Sequence, residues 1–152
     1  MFKSALIAIV AAAGAWSAAG AAYAGDVHVH LDKVEHRAGK VLATLQNQTQ
    51  FLQGRGDYSV ALDPPTATGA LDFTFAHVAP GDYVLSVMHD EDGDFQMKKA
   101  ANGMPQEGWA FSNGGMLSGP PTFDVLKFTV GASDVTVATE MYYPYVPPAA
   151  AQ

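Results

Sequence analysis

The residues best suited to chemistry are crowded together: Asp90, Glu91, Asp92 and Asp94, with His89 just before them and Glu107 farther on. Acids at the alternate positions Asp90, Asp92 and Asp94 match the first, third and fifth ligands of an EF-hand-type calcium loop. Gln96 stands at the seventh, which supplies a backbone carbonyl. Packed carboxylates repel one another, and a hard, oxygen-seeking cation removes that repulsion. The pattern then departs from the loop. Phe95 holds the sixth position, where the sharp turn calls for glycine, Lys98 holds the ninth, and Ala101 holds the twelfth, where a bidentate Glu belongs. Glu107 is a candidate remote ligand. Two readings stay open: a weak Ca2+ loop of the extracellular kind, or a solvated acidic turn neutralised by Lys98 and Lys99.

Other groupings invite chemistry and have plainer explanations. His28 and His30 share one face of a strand, as a zinc or copper pair would, but solvent-facing positions of an amphipathic strand look the same. His89 ends a strand against the acidic loop, where orienting a loop carboxylate or carbonyl suits it better than ligation. Met88, Met97, Met104 and Met116 suit copper(I), yet methionine also fills gaps in loop packing, which is the preferred reading. Trp109, Phe111 and Tyr142-Tyr143 could stack on a sugar ring or anchor a partner. Their plainer role is to pin a loop to a sheet. The stretch from Ala110 to Gly114 only approximates a Gly-x-Ser-x-Gly elbow and lacks the strand-turn-helix setting. Arg55-Gly56-Asp57 and the acceptor-like Asn47-Gln48-Thr49 are short enough to recur by chance.

Composition narrows the setting. Lys3 precedes a nearly unbroken apolar run, Ala5 to Ala13, and Ala22-Tyr23-Ala24 is a small-x-small cleavage pattern. That is the layout of a secretory signal, expected to be cut after Ala24, leaving no membrane span and a periplasmic or secreted product. Of the 8 Lys+Arg against 15 Asp+Glu, the leader carries only Lys3. The mature surface is therefore more acidic still, which argues against nucleic acid or anionic lipid as partner. With no cysteine, thiolate metal sites and thiol chemistry are excluded, and the core alone must hold the fold.

The elements that must position these residues are strands. Val27, Val29 and Leu31 alternate with polar neighbours, and further runs follow at Val41 to Leu45, Tyr58 to Leu62, Gly69 to Val78, Tyr83 to Met88, Phe123 to Val130 and Val135 to Met141. No stretch has a capped helical period. The expectation is an all-β, seven-stranded antiparallel β-sandwich spanning 25–143, with a Pro/Ala-rich flexible tail over 144–152. Tyr83 to Met88, apolar on both faces, is the expected central strand. Residues 90 to 121 form a connection too long for an ordinary loop and rich in apolar bulk, hence one long ordered excursion and the expected site.

The residues Pro80-Gly81-x-Tyr83, His89-Asp90-Glu91-Asp92-Gly93-Asp94 and Gly103-Met104-Pro105-Gln106-Glu107-Gly108-Trp109-Ala110-Phe111-Ser112-Asn113 carry a resemblance. Over them the chain resembles the bacterial exported domain-of-unknown-function family 2141. The resemblance implies export, a prealbumin-like or immunoglobulin-like sandwich, and no established activity. It also draws Asn113 into the set of loop residues with His89, Glu107, Trp109 and Phe111.

No recognisable catalytic set is present. The leading expectation is a monomeric, non-enzymatic binding or structural module with an acidic loop, acting on an envelope or extracellular ligand. One alternative is an envelope hydrolase using His89 with Asp90 or Glu107. The other is a carbohydrate-binding surface around Trp109.

Overall fold

The computed structural model describes residues 24–144, so the expected leader and nearly all of the expected tail lie outside the described residues. Eight strands run in chain order: β1 (Gly25–Val34), β2 (Lys40–Gln46), β3 (Tyr58–Leu62), β4 (Gly69–Val78), β5 (Gly81–Asp90), β6 (Gly108–Phe111), β7 (Phe128–Val130) and β8 (Val135–Glu140). The only α-helical element among them is a single turn, α1 (Phe123–Leu126). No described helix is long and apolar enough to cross a membrane.

The strands form two sheets, one ordered β4-β1-β8 and the other β3-β2-β5-β6, with β7 also pairing β5. Alternation decides what faces inward. In β1, Val27, Val29, Leu31 and Val34 are buried while His28, His30 and Asp32 are exposed. The inward residues of both sheets merge into one core, joined by Leu45, Phe75, Leu85, Val87, Val130 and Val137 among others. The expected central strand holds that place: β5 is flanked by β2 on one edge and by β6 and β7 on the other.

Three expectations are corrected. The described residues form eight strands, because β6 lies inside the stretch read as a loop. The run from Phe123 opens as the helical turn α1, and only Phe128–Val130 is strand. Nor is every pairing antiparallel: β1 and β8 run parallel, from Val27↔Val135 to Asp32↔Glu140. A parallel neighbour needs a long crossover rather than a hairpin, and here nearly the whole domain supplies it.

Two irregularities shape one end of the molecule. The β1–β4 register slips between Leu31 and Val34, and Lys33 sits there with φ 55, so β1 bulges and turns Lys33 and Glu35 outward. The last strand meanwhile changes sheets. The Met141 N–H still donates to the Asp32 carbonyl of β1 (2.9 Å), but Tyr142 exchanges both backbone hydrogen bonds with Trp109 of β6 (2.9 and 2.8 Å). Met141 is buried at the crossing.

Candidate binding site

The excursion after β5 is ordered by carboxylates. Asp90 is 2 % exposed, and its Oδ1 accepts the N–H groups of Gly93 (2.9 Å) and Asp94 (3.2 Å), while Oδ2 accepts that of Phe95 (3.1 Å). One side chain thus caps three successive backbone donors, the anion nest expected of an Asx-type turn. Glu107, 3 % exposed, spans the excursion: Oε1 accepts the Glu91 N–H (2.9 Å) and Oε2 the Lys98 N–H (3.0 Å). Beyond it a small bridged hairpin, Lys99↔Pro105, leads back to β6. Ligand atoms of Asp90, Asp92 and Glu107 all lie within 4.8 Å of one another. Asp94 stands outside this group and accepts the Gln96 N–H instead (2.7 Å). The nearest cation contact is Lys98 Nζ to Asp92, at 3.7 Å.

His89 points the other way, since successive strand residues face opposite sides. It is fully buried, with Nε2 3.1 Å from the Ala38 carbonyl and Nδ1 2.8 Å from the Tyr143 hydroxyl. A carbonyl only accepts, so Nε2 carries the proton and Nδ1 accepts from Tyr143. The Tyr143 oxygen also accepts the Glu35 N–H (3.2 Å). Burial holds the His89 ring below its ordinary pKa and pushes the Tyr143 hydroxyl up to about 12, so the pair is a neutral acceptor and a neutral donor. Arg37 covers the Tyr143 ring at 4.4 Å and pairs with Glu35 (2.7 Å) and Glu91 (2.8 Å), joining this network to the excursion. The Tyr143 ring lies on the bare backbone of Gly108, where any Cβ would strike it.

Where the C-terminal strand crosses to β6, an open groove of about 520 Å³ remains. Its apolar wall is Trp109, Phe111, Tyr142 and Tyr143, and its polar rim includes Lys33, Glu35 and Glu140. The Trp109 ring lies 5.3 Å from Tyr142 and 5.7 Å from Phe111, each at 51°. Behind it, Phe111 packs on Phe51, which packs on Phe123. Tyr142 is 55 % exposed.

A model of the family described as "Uncharacterized protein conserved in bacteria (DUF2141)" matches residues 29–138. The chain belongs to that family. No curated protein and no solved structure matches it. The resemblance carried by Pro80 to Asn113 is therefore a true membership, and the family's matched segment takes in both the acid-capped excursion and the aromatic wall up to Phe111.

Of the residues singled out by sequence, Asp90, Asp92 and Glu107 come together, and so do Trp109 and Phe111. Gln96 is exposed and Asn113 is structural. Asn113 takes a left-handed backbone (φ 54), and its side-chain amide donates to the Lys127 carbonyl (3.1 Å). Its neighbour Ser112 is buried, donating its hydroxyl to the Leu126 carbonyl (2.7 Å) and accepting the Leu85 N–H (3.0 Å), which fills the gap in the β5 edge between β6 and β7. Of the apolar bulk in the excursion, Phe95, Met104 and Met116 are exposed, whereas Met97, Trp109, Phe111 and Leu117 are half-buried, Trp109 and Phe111 within β6. Of the four methionines, Met104 and Met116 are exposed and Met88 and Met97 are half-buried. His28 and His30 face solvent, bonded to Thr74 (3.0 Å) and Asp72 (2.7 Å) of β4, and the Asp72 hydrogen bond raises the His30 pKa. Lys33, Glu35, Arg37 and Glu140 had no sequence signal, because a β-bulge and a sheet crossing place them.

Proposed function

We propose that the chain is an exported, non-enzymatic binding module, a β-sandwich of the prealbumin-like or immunoglobulin-like kind. It holds its ligand in the aromatic groove between β6 and the crossing C-terminal strand. The groove carries the reading: aromatic faces and a few convergent polar groups around an open concavity are the ordinary anatomy of a ligand site. Export rests on the leader layout of residues 1–24. The shared core of the two sheets supports the sandwich.

The hydrolase reading loses its support. His89 and Asp90 project to opposite faces, and both ring nitrogens and both carboxylate oxygens are taken by internal partners. A general acid or base needs a free reach to substrate. The groove reading is tested with acrylamide in a Trp16→Phe background, where Trp109 is the sole emitter. Trp109 emission is expected to be quenched readily in the folded protein. Emission as shielded as that of a core tryptophan would remove the reading.

The acidic triad favours a second role, a calcium-ordered loop. Three carboxylate ligand atoms within 4.8 Å repel one another, and Asp92 opens the group to solvent. Calorimetric titration should give saturable heat with a Kd of about 10⁻⁴ to 10⁻³ M, abolished by Asp92→Asn. No heat at millimolar calcium leaves the loop capped by its own backbone alone.

A further inference from the structure

The groove's chemistry selects among ligands, and we infer that it takes a neutral, polyhydroxylated ring ligand, a glycan segment. The inference rests on the groove reading above. Sugar rings present a C–H face that is apolar and a rim of hydroxyls that are both donors and acceptors. The groove offers the complement of each. Trp109, Tyr142 and Phe111, tilted at 51° to their neighbour, give adjoining aromatic faces rather than one flat plate. Large, stiff side chains of this kind provide contact area at low entropic cost.

The rim supplies acceptors. Glu140 is paired with Lys33 at 2.6 Å, and Glu35 with Arg37 at 2.7 Å, yet each carboxylate has more lone-pair sites than one partner uses. Ligand hydroxyls can donate to what is left. The same two carboxylates repel phosphate, sulfate or uronate groups, and the single lysine on the rim is already engaged. Apolar side chains fit no better, because they would cover these charges without offering them donors. A neutral polyol satisfies the aromatic wall and the acidic rim at once.

The site is also fixed before any ligand arrives. Trp109 and Tyr142 are tied by two main-chain hydrogen bonds, and Tyr143 is held by His89 over Gly108. Preorganisation of this sort reduces the ordering cost of binding.

The test uses the purified full chain carrying Trp16→Phe, titrated separately with soluble neutral oligosaccharides (gluco-, xylo-, manno- and chito-series), with a polyuronate and with an apolar peptide. Trp109 emission and backbone amide shifts report the site. At least one neutral oligosaccharide should saturate, and Tyr142→Ala should weaken it about tenfold, the loss of one aromatic anchor, while the thermal midpoint stays in place. If the polyuronate or the peptide binds at Trp109 and no neutral glycan does, the ligand class is overturned and the groove survives. If nothing in the three sets perturbs Trp109, the groove reading falls with it.

Discussion

Glu107 and Trp109 are separated by one glycine, yet they belong to regions built on opposite rules. In the excursion around Glu107 and Asp90 every buried polar side-chain atom has a partner, as it does throughout the described residues. The groove at Trp109 leaves aromatic area and part of its carboxylate capacity unmatched. Buried carboxylates turned onto backbone donors hold a shape. Part-exposed ones on the rim of a rigid wall are open to a ligand. The cluster that looks most like chemistry in the sequence is thus the scaffold, and the plainer aromatic residues beside it form the working surface.

The largest effect expected from that contrast is Asp90→Ala. Three backbone donors lose their acceptor in a part-buried turn, at a cost of about 1 kcal/mol each and so roughly 3 kcal/mol in all. Urea unfolding monitored by circular dichroism measures it. A loss below about 1 kcal/mol would mean that the turn is a solvated surface after all and that the contrast is false. Tyr142→Ala, on the other side, should change stability little while it weakens the groove's grip about tenfold.

A smaller, pH-dependent effect belongs to the hinge between the two regions. His89 is held neutral, its folded pKa below the ordinary 6.5 because of burial. Its unfolded form therefore binds the extra proton first, and stability is full above about pH 6.5 and falls as pH drops through the lower folded value. Protonation also converts Nδ1 from acceptor to donor, which strands the Tyr143 O–H. Thermal midpoints taken from pH 8 to pH 5 should fall, and in His89→Gln they should fall less over the same window. Tyr143→Phe should cost about 2 kcal/mol at pH 8, about 1 kcal/mol for each of the two hydrogen bonds its hydroxyl makes, to His89 and from the Glu35 N–H. Equal slopes for His89→Gln and the parent would show that His89 does not set the acid limit.

How far the sequence spoke depended on distance along the chain. Short runs of strand-forming residues between turn signals made β1 to β4 legible, and Tyr83 to Met88 could be placed at the centre from its apolar faces alone. β6 was hidden because Gly108–Phe111 is four residues long and its pairing with β5 is what makes it a strand. The parallel β1–β8 pair was hidden for a stronger reason, since it joins the first and last strands through contacts that no local pattern records. In the site, Asp90 and Glu107 were visible as acids, but their backbone partners were not. The wall of the groove was visible as Trp109, Phe111 and Tyr142-Tyr143, whereas its rim depends on the bulge at Lys33 and the crossing at Met141.

The smallest expected effect has the opposite sign and concerns the residue that spoils the calcium pattern. The sixth loop position calls for glycine, and Phe95 stands there. The backbone nonetheless adopts the left-handed conformation that a glycine would take, with φ 61, because Asp90 Oδ2 holds the Phe95 N–H in that geometry. The ring gains nothing in return, being 75 % exposed. A bulky L-residue in this region is strained by roughly 1 to 2 kcal/mol. Phe95→Gly releases that strain but gives the unfolded chain more freedom, which takes back about 0.5 to 1 kcal/mol. The net expectation is a gain of about 0.5 kcal/mol, read as a rise in the urea midpoint at constant slope. In the Asp90→Ala background the gain should vanish, since no carboxylate then enforces the left-handed turn. A Phe95→Gly that destabilises the protein would mean that the ring packs on something in solution, and the excursion would then hold a contact surface of its own.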